Sequence, residues 1–216
     1  MTQNEVGKFI RSEKIIAVIR AEVEKEIFYE AVRALYAGGI KCIEITMTSP
    51  NAIEIIEALS REWRGKDLLI GVGTVLDPPT CRLAILAGAK FVVTPAYLPE
   101  VIETARRYGI TSMCGGFTPT ELIKAWETGA DFVKLFPASL GGPEYIKAIL
   151  GPLPHLQLVP TGGINNENAI EFLKAGAVAL GIGGKLVSKD LMVCKEFGKI
   201  EELAKIYKAS ISGYKK

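Results

Sequence analysis

Two ionisable side chains lie inside apolar runs, where a charged group has the greatest potential for chemistry. Lys134 is the central residue of segment 132–136 (FVKLF), and Glu44 is the central residue of segment 42–46 (CIEIT). Both runs are typical of buried strands, in which successive side chains alternate between the two faces. Each charged residue therefore faces away from its two aliphatic neighbours. Because an isolated buried charge is costly, we expect Lys134 and Glu44 to share one interior as partners.

An amine and a carboxylate in one apolar interior favour Schiff-base chemistry. Apolar surroundings favour the neutral form of an amine, and a neutral Lys134 could attack the carbonyl carbon of a ketone. The protonated Schiff base would act as an electron sink, while Glu44 would move protons at the carbon centre and at the carbinolamine hydroxyl. A purely structural ion pair is the alternative interpretation of the same two residues.

Other catalytic chemistries have little support in the sequence. The single histidine, His155, lies in the turn-like segment 151–155 (GPLPH), which argues against histidine-based nucleophilic catalysis and multi-histidine metal sites. The four cysteines are scattered without CxxC spacing, as in a protein with reduced thiols. We therefore expect no metal and no cofactor, and acid–base chemistry must come from Glu, Asp, Lys or Tyr.

Composition and charge limit the class of partner. The chain has 216 residues, 49% of them hydrophobic, and its net charge of +2 arises from 26 basic and 24 acidic residues spread along the sequence. The absence of a basic stripe argues against nucleic acid or an anionic membrane as partner, so a small anionic metabolite is the better fit. No apolar run approaches the length of a membrane span. We expect one soluble domain, residues 1–216, in the cytoplasm.

An alternation of strands and helices repeats eight times after a short N-terminal helix. Glycine commonly ends the predicted helices and proline commonly begins them. The predicted strands span 15–19, 40–46, 68–74, 91–95, 110–114, 132–136, 156–161 and 178–182. The predicted helices span 24–36, 50–63, 78–86, 99–108, 119–128, 143–150, 167–174 and about 195–208. Nearly continuous Val, Ile and Leu strands between helices indicate an α/β protein with a closed (β/α)8 TIM barrel.

In such a barrel, functional groups come from the carboxyl ends of the strands. Glycine-rich turns after strands seven and eight are where barrels commonly bind phosphate, because their backbone N–H groups can face an anion. Tight packing is the alternative role for these glycines, and no dinucleotide fingerprint is present. The candidate binding residues at strand ends are Arg20, Thr74, Thr94, Pro95, Thr161, Gly162, Gly163, Gly183 and Gly184.

Six motifs, in order along nearly the whole chain, resemble those of the family of 2-keto-3-deoxy-6-phosphogluconate (KDPG) and 4-hydroxy-2-oxoglutarate (KHG) aldolases. The motifs are 17–20 (AVIR), 43–46 (IEIT), 71–75 (GVGTV), 117–121 (FTPTE), 133–137 (VKLFP) and 160–163 (PTGG). The resemblance implies a homotrimeric, metal-independent class I aldolase that releases pyruvate from a 2-keto-3-deoxy sugar acid phosphate or from 4-hydroxy-2-oxoglutarate. The second product would be glyceraldehyde 3-phosphate or glyoxylate, respectively.

The resemblance also implies roles for individual residues. Lys134 would form the Schiff base and Glu44 would act as acid and base. Residues that would bind the substrate carboxylate and phosphate are Arg20, Thr74, Thr161, Gly162 and Gly163. Residues that would shape the pocket are Pro95 and Phe136.

Two positions depart from the family pattern. Thr48 stands where some members carry an arginine, and Gly184 followed by Lys185 stands where a serine is frequent. Backbone N–H groups or Lys185 could replace that hydroxyl, so substrates with and without a phosphate are both compatible with the sequence, as are the gluconate and galactonate series. A phosphosugar isomerase or epimerase on the same barrel, and a catalytically silent oligomeric scaffold, are the alternative functions.

Overall fold

The computed structural model describes residues 1–214 and contains the eight strand–helix units that the sequence predicts. The strands are β1 Ile15–Ile19, β2 Cys42–Thr46, β3 Leu69–Gly73, β4 Phe91–Val93, β5 Thr111–Gly116, β6 Phe132–Leu135, β7 Leu158–Pro160 and β8 Leu180–Ile182. The helices are α1 Gln3–Glu13, α2 Lys25–Ala37, α3 Ala52–Glu62, α4 Pro78–Leu86, α5 Pro99–Arg107, α6 Pro119–Glu127, α7 Gly142–Leu150, α8 Ala169–Lys174, α9 Lys189–Val193 and α10 Phe197–Ile211. A short 3₁₀ helix, Ala138–Leu140, follows β6.

All strand pairs are parallel, and neighbours in the sheet are neighbours in the chain. The order runs from β7 through β1 to β8. The last gap, between β7 and β8, is closed by a parallel bridge that joins Thr161 to Gly181. The predicted (β/α)8 barrel with an N-terminal helix is therefore confirmed.

Local capping explains where several helices begin. The Asp77 carboxylate accepts a hydrogen bond from the Thr80 backbone N–H, and Thr118 forms a reciprocal capping box with Glu121 at the start of α6. The predicted start of a helix at residue 50 is wrong, because α3 begins at Ala52, behind Asn51 in a left-handed conformation. Helix α9 was not predicted, since its five residues are too few to show a helical apolar pattern.

The apolar core has two layers, as strand alternation requires. The outer layer lies between the strands and the surrounding helices and includes Val133 and Leu135. The inner layer fills the lower part of the barrel with Phe91, Phe132 and other inward-facing residues. Two buried residues of α1, Val6 and Ile10, join the inner layer.

Polar contacts hold α1 against this end of the barrel. The Gln3 side-chain amide donates to both carboxylate oxygens of Asp131, at 3.0 and 3.1 Å. The Arg11 guanidinium lies 4.6 Å from the centre of the Phe132 ring. Helix α1 thus covers the amino-terminal end of the inner layer, which leaves the barrel interior open toward its carboxyl-terminal end. Within residues 1–214, none of the helices combines the length and the apolar character of a membrane span.

Candidate active site

Lys134 lies inside the barrel, as strand alternation predicts. It pairs in register with Gly115 of β5 and Val159 of β7, and it is only 4% exposed. Its Nζ lies 5.3 Å from the centre of the Phe136 ring. Among residues 1–214, no carboxylate oxygen lies within 4.0 Å of this amine. The amine is therefore enclosed without being neutralised by a contact ion pair.

Glu44 lies on β2, also inside the barrel. It pairs in register with Val18 of β1 and Gly71 of β3, and it is 3% exposed. Its Oε1 is buried and has no hydrogen-bond partner among the described residues. A Cβ atom placed on Gly73 would lie 1.7 Å from this oxygen. The missing side chain at position 73 thus provides the space in which the carboxylate sits.

The expected contact between the two charged groups is not formed, but they share one electrostatic environment. Burial raises the pKa of the Glu44 carboxyl above its ordinary value of 4.5, while the positive charges of Lys134 and Arg20 act in the opposite direction. The structural ion pair that was the alternative interpretation is therefore not supported. A carboxylate with its pKa raised in this way is suited to accept and return a proton.

Arg20 and Thr74 meet at the mouth of the barrel, although they are 54 positions apart in the chain. The Arg20 Nη2 donates to the Thr74 Oγ1 at 3.3 Å. Thr74 has a φ of +57°, a left-handed conformation that β-branched residues rarely adopt. Backbone strain of this kind is concentrated at functional sites. The pair presents a guanidinium and a hydroxyl on the mouth.

Thr94 and Pro95 form the wall on the β4 side. The Thr94 hydroxyl accepts a hydrogen bond from the Gly115 N–H at 3.0 Å and donates to the Ala96 carbonyl at 2.7 Å. A Cβ on Gly115 would lie 2.5 Å from the carbonyl carbon of Pro95. Pro95 is therefore held tightly against β5, next to the strand position that pairs with Lys134.

A cavity of about 330 Å³ opens between the ends of β1, β6, β7 and β8. The predicted site residues that line it are Arg20, Phe136, Thr161, Gly162, Gly163, Gly183 and Gly184. Lys134 lies two positions before Phe136, which directly follows β6, and Glu44 pairs with the lining residue Val18, so both lie below the cavity. The cavity and the buried pair together form one site.

The two glycine turns differ in whether their backbone conformation favours glycine. Gly162 and Gly163 have φ values of +97° and +76°, so their conformations favour glycine. Gly183 and Gly184 do not: a Cβ on Gly184 would meet nothing within 4 Å, and one on Gly183 would make only an ordinary contact with Val18. The second turn therefore has open space beside its backbone, as anion binding requires.

Two lysines add positive charge to this cavity. Lys185 follows the second turn, and Lys189 lies at the start of α9, where it pairs with the exposed Glu22 at 3.2 Å. Sequence reasoning missed Lys189, because α9 itself was not predicted. Within residues 1–214, no cluster of three or more His, Cys, Asp or Glu side chains could hold a metal ion.

The fold and the site define a (β/α)8-barrel enzyme of the aldolase type, with an interior lysine and an interior carboxylate beneath a mouth lined by cationic side chains. More narrowly, the chain belongs to the KDPG and KHG aldolase family, whose model matches residues 6–203.

Individual relatives agree with this assignment. The chain is 35% identical over 201 residues to a 2-dehydro-3-deoxy-phosphogluconate aldolase of Pseudomonas aeruginosa, covering 93% of this chain and 90% of the relative. It is 33% identical to a 2-dehydro-3-deoxy-6-phosphogalactonate aldolase of Escherichia coli, covering 91% and 96%. A crystal structure of KDPG aldolase from Legionella pneumophila, with pyruvate captured as a covalent carbinolamine intermediate, superposes with a TM-score of 0.84 at 31% identity, covering 92% of this chain and 96% of the other.

Proposed function

We propose that the protein is a class I aldolase that cleaves 2-keto-3-deoxy-6-phosphogluconate to pyruvate and glyceraldehyde 3-phosphate. The observation that carries this proposal is the pair of buried side chains: among residues 1–214, Lys134 has no carboxylate within 4.0 Å and the Glu44 Oε1 has no hydrogen-bond partner. A structural ion pair would have brought the two groups into contact. Cleavage of 4-hydroxy-2-oxoglutarate to pyruvate and glyoxylate would use the same two residues.

The proposed reaction begins at the ketone. The Lys134 Nζ attacks C2 of the substrate with its lone pair, and loss of water from the carbinolamine gives a protonated Schiff base. Glu44 then accepts the proton of the C4 hydroxyl while the C3–C4 bond breaks. The electron pair of the C3–C4 bond passes through C3 and C2 to the Schiff-base nitrogen. The aldehyde leaves, Glu44 returns its proton to C3, and water hydrolyses the Schiff base to release pyruvate and the free amine.

The mouth supplies binding groups for the two anionic ends of the substrate. We assign the phosphate to the turns that contain Gly162, Gly163 and Gly184, with Lys185 as the nearby cation. We assign the carboxylate to Arg20 and Thr74, which are already joined by a hydrogen bond. Pro95 and Phe136 shape the walls between them. Open space at Gly184 supports a phosphorylated substrate in spite of the missing serine.

Trapping the covalent intermediate tests the role of Lys134. Incubation with pyruvate and borohydride should reduce the Schiff base to a stable amine, and peptide mass spectrometry should place one pyruvate-sized adduct on Lys134. Lys134→Met should give no adduct, whereas Lys174→Met, which removes an exposed lysine of α8, should still be modified. A missing adduct in the unmodified protein, or an adduct on another lysine, would contradict the proposal.

A substrate panel tests the assignment of the phosphate. Turnover of phosphogluconate-, phosphogalactonate- and hydroxyoxoglutarate-type keto acids should be compared in the unmodified protein and in Lys185→Met. We expect the substitution to raise KM for the two phosphorylated substrates and to leave the phosphate-free substrate unaffected. An equal effect on all three would remove Lys185 from the phosphate site.

We also propose that residues 1–216 act as one catalytic domain, that the domain functions in the cytoplasm, and that it assembles as a homotrimer. Large apolar side chains on its surface support assembly: Leu76, Leu83 and Leu140 are 58%, 56% and 74% exposed. Light scattering coupled to size exclusion should give three times the chain mass of 23.4 kDa. A monomeric mass would refute the trimer without bearing on the chemistry.

A further inference from the structure

The amino-terminal end of the barrel, opposite the catalytic mouth, contains a second cavity of about 580 Å³. It lies between the carboxyl-terminal ends of α3 and α4, beside the residues that begin β3 and precede β4. No part of the proposed reaction uses it. Four cationic side chains in its wall distinguish it from a simple packing defect: Arg61, Arg64, Lys66 and Lys90.

The positive charge of this cavity is largely uncompensated. Glu57, the one carboxylate in the described wall, forms an ion pair with Arg61. The neighbouring acids Glu62 and Asp67 pair with cations outside the cavity. Three wall residues form no ion pair among residues 1–214: Arg64, Lys66 and Lys90. The carboxyl-terminal ends of two helices contribute about one negative charge together, so a positive surplus remains.

Two polar groups in the same wall also lack partners. The indole Nε1 of Trp63 and the hydroxyl of Ser60 are buried and make no hydrogen bond within residues 1–214. Trp63 itself is only 9% exposed. Buried polar groups of this kind are normally satisfied. Because both atoms are fully buried, they mark a polar wall, and the exposed cations supply the contacts for a ligand in the cavity.

The surroundings of Trp63 narrow the class of ligand. One side of the indole is occupied by Tyr36, with ring centroids 4.5 Å apart, and the Lys66 Nζ lies 4.5 Å from the ring centre. Because Trp63 is only 9% exposed, the indole offers little ring surface on which an aromatic base could stack. What the wall offers is positive charge and hydrogen-bond donors, which match the oxygens of a phosphate group.

We propose that this cavity binds a small multivalent anion of the phosphate class, at a site separate from the catalytic mouth. The ligand is either an inorganic phosphate or a small phosphate ester, because both present the same charged oxygens. The site does not depend on the proposed aldolase chemistry, since it shares no residue with the mouth.

Fluorescence of Trp63 tests this site directly. The chain has two tryptophans, so full-length protein with Trp126→Phe reports on Trp63 alone. Titration with inorganic pyrophosphate or glycerol 3-phosphate at constant ionic strength should change the emission saturably. The probe that binds more tightly shows whether the site prefers an inorganic phosphate or a phosphate ester. Potassium chloride at the same ionic strength should cause no such change.

Charge removal provides the matched comparison. In the Trp126→Phe protein, Arg64→Met with Lys90→Met should weaken binding at least tenfold, whereas Lys174→Met should leave it unchanged.

Calorimetry on the chain with its native Trp126 should count two bound anions for each chain, and one bound anion after the double substitution. No saturable signal, an equal response to chloride, or binding that survives the double substitution would overturn the proposal. Pyruvate trapping on Lys134 should persist throughout, which separates failure of this site from failure of the aldolase assignment.

Discussion

Replacing Gly73 by alanine should impair catalysis while leaving the barrel folded. The added Cβ would lie 1.7 Å from the Glu44 Oε1 and 2.4 Å from its carboxyl carbon, although real Cβ atoms essentially never approach closer than 3.0 Å. The carboxylate oxygen must therefore move by about 1.3 Å or more. The side chain is buried, yet its end is flexible, so the movement falls on the proposed acid and base rather than on the backbone.

The size of the effect follows from this displacement. A catalytic group misplaced by about 1 Å can lower a rate by about 10²-fold. We therefore expect kcat of the Gly73→Ala protein to fall by about two orders of magnitude, equivalent to about 2.7 kcal/mol of activation free energy. KM should change little, because the groups assigned to the substrate carboxylate and phosphate lie elsewhere on the mouth.

Steady-state kinetics and urea unfolding of the unmodified protein and five variants distinguish this mechanism from general damage. Gly71→Ala should instead destabilise the fold by about 1–3 kcal/mol, since its Cβ would lie 2.4 Å from the buried Phe91 ring. Gly198→Ala, whose Cβ would meet nothing within 4 Å, should leave turnover unchanged. In a Glu44→Ala background, Gly73→Ala should have almost no further effect on kcat. If it still lowers kcat by 10²-fold there, the effect does not act through Glu44 and the reasoning fails.

Three further predictions concern other parts of the molecule. Ile10→Ala, at the closed end, should cost about 2–5 kcal/mol in urea unfolding with pyruvate trapping intact, and a loss below 1 kcal/mol would contradict burial of α1. Thr94→Val should lower stability by about 1–3 kcal/mol by leaving the Gly115 N–H unpaired, whereas Thr94→Ser should restore it; equal losses would refute the hydrogen-bond role. Because burial raises the pKa of Glu44, the native state keeps the carboxyl proton at pH values where the unfolded state, with the ordinary pKa of 4.5, has released it. The free energy of unfolding therefore falls as pH rises from 4.5 through the raised pKa. Glu44→Gln should therefore gain stability relative to the unmodified protein as pH rises from 4.5 to 8, and a pH-independent difference would refute this.

The barrel could be predicted from the sequence because its signals are local and repeated. The starts of helices are marked by residues such as Asp77 and Thr118, which form capping hydrogen bonds with residues within four positions. The inward orientation of Lys134 also follows from strand alternation alone. Helix α9 lacks such signals, because five residues give too little periodicity, and Lys189 was missed with it.

Features that depend on distant residues could not be read in the same way. The ion pair expected between Glu44 and Lys134 is not formed, since the position of the carboxylate depends on the space left at Gly73. The Thr94 hydroxyl accepts a hydrogen bond from the backbone N–H of Gly115, which lies 21 positions later in the chain. Such contacts arise only when the closed barrel brings strand ends together, so no spacing within one segment reveals them.

The two inward-facing glycines of β3 show how one strand serves both packing and chemistry. Gly71 and Gly73 are separated by one repeat of the strand, and both lie on the inner face. The first makes room for the Phe91 ring, which belongs to the apolar layer closed by α1, and the second makes room for the Glu44 carboxylate. The boundary between stabilising core and reactive interior therefore lies within a single step along the strand. For this reason the same substitution, glycine to alanine, should damage stability at one position and turnover at the other.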